Sequence, residues 1–562
     1  MKVLLTAVNS KYIHSNLAVR YLKAFTKDLQ YDCKIREFTI NDRLERVLEQ
    51  IIQEKPDIVA FSCYIWNMRF IEELARLIKL VDDNIEILYG GPEVSYNGEE
   101  FLQQHVGEYL IEGEGEQAFR EFIQYKISLE NSNETNAIQP IKGLYSKHLG
   151  VITYGGQQEL MNIDDIVFPY NEKEDINEKI VYYEASRGCP FNCKYCLSST
   201  FQGVRLINAD RVKSELKYFI DRGVRLVKFV DRTFNCNPKF AMDIWSFLMD
   251  QETDTTFHFE ISADILTQEE IDLLSKAPKG RFQFEIGVQT TDIQVLKNIN
   301  RHKGFQTIKE KVLQIEAFGN INQHLDLIVG LPGEDFETFK RSFNDVYSVQ
   351  PDKVQVGFLK LLRGSAMREE AEKWGMVYSP YPPYEILKTN HISYEEINTL
   401  KRVDEMIDKY YNSNKFDSIL KYFIEKFPSP FDFYFKLGEF FYEKGYFSRN
   451  ISSAEYYKVF LEFNKEVING DNFAISEIVK YDYLSFNKKK WVPDFLTREI
   501  DKSIERLVIE KIKAGELSAS KNIHIEKFFI DILAFVERGI VQKEGHYILF
   551  DDVSGNIIDL HK

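Results

Sequence analysis

The chain has 562 residues, 44% of them apolar and 28% charged, which is the composition of an ordinary globular protein with roughly three or four domains of ~150 residues. Its formal charge of -16 argues against broad binding to nucleic acid or to an anionic membrane surface, both of which require a basic face. No stretch reaches the ~20 apolar residues of a membrane span, and the apolar run at the N-terminus is too short for a signal peptide. We therefore predict a cytoplasmic protein without membrane association.

The first part of the chain alternates strand and helix patterns. The apolar and helically spaced runs are residues 3–7, 17–29, 57–63, 70–80, 85–89 and 109–111. This rhythm predicts an α/β fold in which residues 1–128 form a doubly wound, Rossmann-like domain with a parallel sheet between two helix layers. Ligands of such sheets bind at the carboxyl ends of the strands. The glycines found there are Gly90, Gly91, Gly113 and Gly115.

The following region has a different organisation. Residues 129–178 are predicted to be a linker that contains a polar loop from Glu130, a small hairpin at residues 142–155 and a tether. Over residues 179–388, six strand patterns alternate with amphipathic helices, which predicts a partial (β/α)6 barrel of the TIM type. The predicted barrel strands are residues 180–185, 226–230, 256–261, 282–288, 324–329 and 353–359.

Residues 389–562 are predicted to form a mainly helical domain of unknown role. Ser393 and Glu396 give a capping-box pattern ahead of helically spaced apolar residues. Residues 547–560 predict a terminal hairpin.

Three of the six cysteines, Cys189, Cys193 and Cys196, lie within eight positions, directly after the first predicted barrel strand. Loops that follow barrel strands form the catalytic face of such a fold. Soft thiolates select an iron–sulfur cluster or zinc. Three thiolates fill three corners of a cubane and leave one iron open for another ligand, as in an open catalytic zinc site. The alternatives are a zinc site with a remote fourth ligand and plain buried thiols.

The pattern Cys-x-x-x-Cys-x-x-Cys, with Tyr195 before its last cysteine, resembles the signature of the radical SAM superfamily. The resemblance implies that Cys189, Cys193 and Cys196 hold a [4Fe–4S] cluster whose open iron chelates the amino and carboxylate groups of S-adenosylmethionine (SAM). It also implies that an electron from the cluster cleaves the sulfonium bond and yields a 5′-deoxyadenosyl radical. The protein then has to place this radical beside one C–H bond and exclude water.

The same resemblance implies SAM contacts at successive strand ends. Asp231 takes the place that contacts the methionine amine in relatives, and Glu260 lies where relatives place polar groups near the sugar or the methionine. Gln289 and Arg301 resemble a motif of the porphyrinogen-oxidase-like branch, and Gly330 resembles the segment beside adenine. The structural alternatives are a surface acid for Asp231, a helix cap for Arg301 and a plain turn at Gly330. No catalytic side chain is assigned.

The N-terminal glycines resemble those of the cobalamin (B12)-binding domain that is joined to many radical SAM enzymes. The resemblance implies that backbone packs against the nucleotide tail of cobalamin at Ser62, Gly90, Gly91, Gly113 and Gly115, with a hydrogen bond from Ser62. The Asp-x-His-x-x-Gly motif that supplies a histidine to cobalt is absent, and the loop after the first strand offers His14, which has a solvated or capping role as its alternative. A small doubly wound domain that binds nothing is the structural alternative for the whole region.

Together these resemblances predict a cobalamin-dependent radical SAM enzyme that methylates, cyclises or rearranges an unknown small-molecule or peptide substrate. They imply a reduced flavodoxin- or ferredoxin-type electron donor. The C-terminal region resembles an uncharacterised domain that accompanies a subset of these proteins, which predicts no chemistry. Two other hypotheses stay open: a radical SAM enzyme whose N-terminal domain no longer binds cobalamin, and a non-enzymatic protein with zinc on the three cysteines.

Overall fold

The N-terminal region contains a seven-stranded sheet in the computed structural model, which describes residues 1–131, 140–172, 174, 176–200, 203–301, 303–487, 492–498, 502–520 and 522–560. Most of the polar loop predicted from Glu130, residues 132–139, lies outside the described residues. The elements are β1 (Lys2–Asn9), α1 (Leu17–Phe25), β2 (Asp32–Thr39), α2 (Leu44–Gln53), β3 (Ile58–Ser62), α3 (Met68–Val81), β4 (Glu86–Gly90), α4 (Gly98–Gln104), β5 (Tyr109–Ile111), α5 (Gly115–Asn131), β6 (Leu144–His148) and β7 (Val151–Tyr154).

The strand order is β2-β1-β3-β4-β5-β6-β7. The first five strands pair in parallel, and β6 and β7 add an antiparallel edge. Successive residues of a strand point to opposite faces. Leu4 and Val59 accordingly pack in one core with α2 and α3, whereas Leu5 and Ala60 pack in another with α1 and α5. The predicted parallel α/β sheet with helices on both faces is present, and the hairpin predicted at residues 142–155 is part of that sheet.

Strand β2 and helix α2 are absent from the sequence prediction. β2 pairs with β1 along its whole length, from Lys2 opposite Asp32 to Asn9 opposite Thr39. It is the edge strand, and over most of its length exposed residues alternate with half-buried ones, so no apolar run marks it.

The next region contains the predicted barrel strands and a short hairpin. Its elements are β8 (Val181–Tyr183), β9 (Ser186–Cys189), β10 (Gly203–Leu206), α6 (Ala209–Asp221), β11 (Leu226–Phe229), α7 (Pro238–Met249), β12 (Thr256–Ile261), α8 (Gln268–Leu274), β13 (Phe282–Gln289), α9 (Ile293–Asn298), α10 (Phe305–Glu316), β14 (Asn322–Val329), α11 (Phe336–Tyr347), β15 (Lys353–Phe358), α12 (Ala366–Glu369), β16 (Val377–Tyr378) and β17 (Ile386–Lys388). The six predicted strands appear in one sheet, in the order β15-β14-β13-β12-β11-β8, with parallel pairing from β8 to β14. The strands thus follow one another in chain order, as βα units do, and the curvature of the sheet into a partial barrel stays a prediction.

The remaining elements are α13 (Tyr394–Met406), α14 (Asp417–Ile424), α15 (Pro430–Glu443), α16 (Ser453–Phe463), α17 (Asn472–Phe486), α18 (Lys502–Lys513), β18 (Ile523–Phe528), α19 (Ile532–Arg538), β19 (His546–Asp551) and β20 (Ile557–Asp559). The chain divides into two compact units, Met1–Asp335 with Gly357–Ile392, and Phe336–Val356 with Ser393–Lys562. The N-terminal sheet and most of the second sheet belong to the first unit.

The second unit is mainly helical, and it holds most of residues 389–562, the region predicted to be helical. Helix α13 begins with the predicted capping box, in which Ser393 and Glu396 bond to each other's backbone N–H groups. Aromatic side chains fill much of the helical core, among them the buried Phe423, Tyr434 and Phe460. The predicted terminal hairpin is β19 with β20, and the unpredicted β18 joins it in an antiparallel sheet. Within the described ranges, no helix is long and apolar enough to cross a membrane.

Candidate cofactor site

The three cysteines of the motif lie in one loop whose base is a hairpin. Strand β9 ends at Cys189, and β10 returns antiparallel to it with Gly203 opposite Cys189. Cys189, Cys193 and Cys196 are partly exposed free thiols. Burial raises the pKa of the Cys193 thiol, and the nearby guanidinium of Arg301 opposes this effect.

The donor set fits an iron–sulfur cluster. Within the part of the chain that the structure describes, no three His, Cys, Asp or Glu side chains are gathered around a single ion position. The cysteines of a cubane bind three different irons, so they do not have to converge on one point. Three soft thiols in one partly exposed loop have the chemistry of such a site.

Asp231 lies two residues after β11 and holds the start of β9, the strand that leads to the cysteines. Its buried carboxylate accepts hydrogen bonds from the backbone N–H of Ala185, at 3.0 Å, and from the hydroxyl of Ser186. Burial raises the pKa of Asp231 to about 7. Its neighbour Arg232, which the sequence analysis did not single out, lines the adjacent cavity.

Acidic side chains lie within the neighbouring strands β12, β13 and β14. Burial raises the pKa of Glu260, the predicted SAM contact, and raises that of Asp326 well above its usual range. Glu285 differs, because His258 at 2.9 Å and Lys228 at 3.1 Å hold its pKa down at about 2. The Oδ1 atom of Asp326 is buried and has no hydrogen-bond partner among the described residues. The sequence predicts no role for it, although an acid among the apolar residues Leu325, Leu327 and Ile328 is a usable signal.

Gln289 and Arg301 connect the end of β13 to the cysteine loop. Gln289 has a φ of +70°, and its side chain lies over Gly287, where a Cβ would stand 2.3 Å from the Gln289 amide nitrogen. Arg301 donates to the carbonyl of Gly287 at 2.9 Å and to the hydroxyl of Tyr195 at 3.3 Å. Arg301 therefore contacts the cysteine loop directly. The adjoining His302 of the motif lies outside the described residues.

The glycine turn predicted to lie beside adenine begins at the end of β14. Gly330 has a φ of +87°, and a Cβ there would lie 2.8 Å from Ile386. Both its conformation and this close packing require glycine. Glu334, four residues later, is buried and accepts a hydrogen bond from the Thr290 hydroxyl at 2.7 Å.

Replacement of Glu334 by glutamine is expected to remove a pH-dependent loss of stability. Burial raises the pKa of Glu334 from 4.5 to about 8. A raised carboxyl pKa favours the folded state while the group is protonated, and this stabilisation is lost as the pH rises from about 4.5 through 8. Glu334→Gln should therefore unfold at a higher temperature than the wild type at about pH 9, by the equivalent of about 5 kcal/mol, and with little difference at about pH 5. Thermal unfolding of both proteins at the two pH values checks this. An equal difference at both pH values contradicts it.

A cavity of about 860 Å³ lies between the N-terminal sheet and the strands that precede the cysteines. The N-terminal side of its wall includes Gly91, Gly113 and Gly115 at the strand ends, together with His14, Tyr64 and Trp66. The opposite side includes Tyr182, Glu184, Arg187 and Arg232. All of these residues belong to the first unit.

The wall of this cavity has features that suit a large, flat, amide-bearing ligand such as a corrin. A Cβ at Gly113 would meet no atom within 4 Å, so the backbone there borders open space, whereas Gly91 packs too closely on the backbone of Cys63 to carry one. Tyr64 and Trp66 stack at 4.3 Å and give an aromatic surface. The wall also carries carboxylates that are each bonded to an arginine or a tyrosine, and their remaining lone pairs are acceptors for amide N–H donors; they include Glu112, Glu114, Glu116 and Glu184. The residues present therefore fit cobalamin.

Of the other predicted cobalamin contacts, Ser62 and Gly90 do not line the cavity, whereas His14 does. Ser62 and Gly90 pair with each other in the sheet, and the buried Ser62 accepts a hydrogen bond from the side chain of Asn16 at 3.3 Å. His14 faces the cavity, with its Nδ1 2.6 Å from the hydroxyl of Tyr182. Burial lowers the pKa of His14, which keeps the imidazole neutral over a wider pH range.

Three protein-family models match separate parts of the chain. The model of the B12 binding domain matches residues 3–123, and that of the Radical SAM superfamily matches residues 183–346. A model described as a protein of unknown function (DUF4080) matches residues 372–550.

The chain is also similar to curated proteins and to solved structures. The 2-(S-pantetheinyl)-carbapenam-3-carboxylate methyltransferase of Streptantibioticus cattleyicolor is 27% identical over 51% of this chain and 44% of its own. The cobalamin-dependent radical SAM methyltransferase TokK of Streptomyces tokunonensis is 24% identical over 59% of this chain and 51% of its own, so the chain spans about half the length of these two relatives. The structure of the cobalamin-dependent S-adenosylmethionine radical enzyme OxsB, with aqua-cobalamin and S-adenosylmethionine bound, covers 92% of this chain and 82% of that chain at 15% identity and a TM-score of 0.57, which shows a shared fold.

Proposed function

Because the chain belongs to the radical SAM superfamily and carries a B12 binding domain before its radical SAM domain, we propose that it is a cobalamin-dependent radical SAM methyltransferase. The family predicted from the cysteines and the N-terminal glycines is confirmed, including the uncharacterised C-terminal domain. The predicted cofactors, a [4Fe–4S] cluster, SAM and cobalamin, are those of these two families. The substrate is a separate question, which the matches leave open.

The observation that carries the proposal is that residues of the B12 binding domain and residues next to the cysteine loop line the same cavity. Glycine loops of the B12 binding domain form one side of it, and Glu184 and Arg187, which lead directly into Cys189, stand on the other. A group held in this cavity therefore lies next to the cysteine loop. We propose methyl transfer rather than cyclisation because the two relatives named above are methyltransferases.

When bound, the cluster and SAM supply the radical, and cobalamin supplies the methyl group. The residues of this chain would position these groups and keep water away. Asp231 fixes the strand before Cys189, and Arg301 ties the cysteine loop to the end of β13. Glu260, Gln289 and Gly330 are proposed to contact SAM. The stacked Tyr64 and Trp66 cover one side of the cavity and would exclude water from it.

Reconstitution under anaerobic conditions tests the proposal. The protein is supplied with iron, sulfide and hydroxocobalamin, and then with a reductant and SAM that carries an isotopically labelled methyl group. We expect corrin to be retained in stoichiometric amount, 5′-deoxyadenosine to form, and the label to move to cobalamin. Labelled products in an extract of a strain that lacks the gene would then identify the substrate.

The outcomes separate the hypotheses. Formation of 5′-deoxyadenosine without any retained corrin would favour a radical SAM enzyme whose N-terminal domain has lost cobalamin. Retained corrin without transfer of the methyl label would contradict methyl transfer and favour a cyclase or a rearrangement. Zinc without iron or sulfide in protein purified anaerobically would contradict the radical SAM assignment itself.

A further inference from the structure

The hairpin at the base of the cysteine loop carries two arginines on one face. β9 ends at Cys189, and Arg187, two residues earlier, lies directly opposite Arg205 of β10. Directly opposed residues of an antiparallel pair project from the same face of the sheet. The two guanidinium groups therefore leave the hairpin on the same side.

Both arginines bind the same glutamate of the B12 binding domain. Arg205 pairs with both carboxylate oxygens of Glu114, and its Nη1 lies 3.2 Å from Oε2. Arg187 Nη1 lies 3.5 Å from the same Oε2 atom. Arg187 also donates to Glu116, at 2.5 Å, and to Glu184, at 2.9 Å. The side chains of Arg187 and Glu116 are only 13% and 7% exposed, so solvent screens their pairing weakly. We refer to Arg187, Arg205, Glu114 and Glu116 as the arginine clamp.

The glutamates of the clamp stand on the loop that borders the cavity. Glu114 lies between Gly113 and Gly115, and Glu116 is in the first turn of α5. Both glutamates line the cavity themselves, and the backbone at Gly113 borders open space. A group that fills the cavity therefore lies against the same short loop that holds the cysteine hairpin.

Another buried arginine forms ion pairs that do not involve the cysteine hairpin. Arg20 of α1 is also buried between two carboxylates, those of Glu37 and Glu174. Its partners lie in β2 and in the segment before β8, and neither belongs to the cysteine hairpin. Arg20 therefore provides a matched control for the clamp, because it has similar burial and charge without contact to the hairpin.

We propose that Arg187 and Arg205 are positioning residues through which a corrin bound in the cavity fixes the hairpin that carries the cluster cysteines. The identity of the corrin rests on the proposed function. The clamp joins the two cofactor sites by direct contacts. The bound corrin restricts the motion of the Gly113–Gly115 loop, and with it the positions of Glu114 and Glu116. Because the arginines are bonded to these glutamates, the motion of β9 and β10 is restricted as well. Replacing a charged partner leaves the loops intact but uncouples them.

Hydrogen–deuterium exchange on the anaerobically reconstituted protein tests this inference, with hydroxocobalamin as the probe. In the wild type, hydroxocobalamin should slow amide exchange in β9 and β10 by about fivefold or more. In Glu114→Gln and Arg187→Lys this slowing should fall to less than about twofold, with the iron and sulfide content unchanged. Arg187→Lys keeps the charge but loses the planar, many-donor geometry of the guanidinium. Arg20→Gln should respond like the wild type. If Glu114→Gln or Arg187→Lys fails to fold, the more exposed Arg205→Lys replaces it.

The inference is wrong if bound hydroxocobalamin leaves exchange in β9 and β10 unchanged in the wild type. It is also wrong if the clamp variants respond as the wild type does, or if Arg20→Gln loses the response to the same extent. In these cases a wild type that retains corrin and forms 5′-deoxyadenosine keeps the proposed function intact. A wild type that retains no corrin overturns both.

Discussion

Replacement of Cys193 by alanine is expected to lower the rate of 5′-deoxyadenosine formation by at least about a thousandfold, to the background of the assay. The change removes one of three thiolates, and the two that remain leave a second iron of the cubane without a protein ligand. Cys193 is a partly exposed loop residue, so its loss should leave the fold in place. The measurement is the amount of 5′-deoxyadenosine formed under anaerobic conditions with SAM and a chemical reductant, together with the iron and sulfide content.

Cys33→Ala is the matched control for this experiment. Cys33 is also a partly exposed free thiol, but it lies in the edge strand β2 of the N-terminal sheet. The control should keep the iron content and the rate of the wild type. A Cys193→Ala protein that cleaves SAM at the wild-type rate would show that the cluster is not held by this loop.

The elements that the sequence predicts well are those whose residues are apolar on both faces. β3 is buried at all five positions, and an unbroken apolar run can be recognised without knowing its neighbours. The edge strand β2 and strand β18 of the second unit mix charged and apolar residues, and both are stabilised as strands by pairing with neighbours distant in sequence. Sequence periodicity carries no information on that pairing, so it predicts neither strand.

The candidate site shows the same limit at the level of single residues. Because loops that follow parallel strands gather at one edge of a sheet, the cysteine motif and the strand-end glycines could be found from the sequence. The sequence does not show which of two adjacent residues faces the ligand. The carboxylate of Asp231 turns to Ala185 while Arg232 lines the cavity, and Ser62 is held by Asn16 within the N-terminal domain. Asp231 and Arg232 follow β11 outside any regular element, so no sequence periodicity predicts the direction of either side chain. The roles of Asp231 and Ser62 as cofactor contacts stay predictions.

Replacement of Ala18 by tryptophan is expected to weaken cobalamin binding by about a hundredfold or more, equivalent to about 2.7 kcal/mol. Ala18 lies in the first turn of α1 and lines the cavity. A packed site tolerates added volume poorly, and an indole here would take up space that the corrin needs. The iron content should be unchanged, because Ala18 is not part of the cysteine loop. Titration of the reconstituted protein with hydroxocobalamin, followed by its absorbance, measures the dissociation constant.

Lys23→Trp places the same side chain on the same helix at an exposed position, and it should bind cobalamin as the wild type does. The pair of variants therefore separates an effect on the cavity from an effect on α1. If Ala18→Trp binds hydroxocobalamin as tightly as Lys23→Trp, the corrin does not occupy this cavity, even if the protein binds one elsewhere. If only Ala18→Trp loses corrin, the cavity is the corrin site. The same variant then also tests the arginine clamp, because without corrin the exchange in β9 and β10 should remain at its unbound rate when hydroxocobalamin is added.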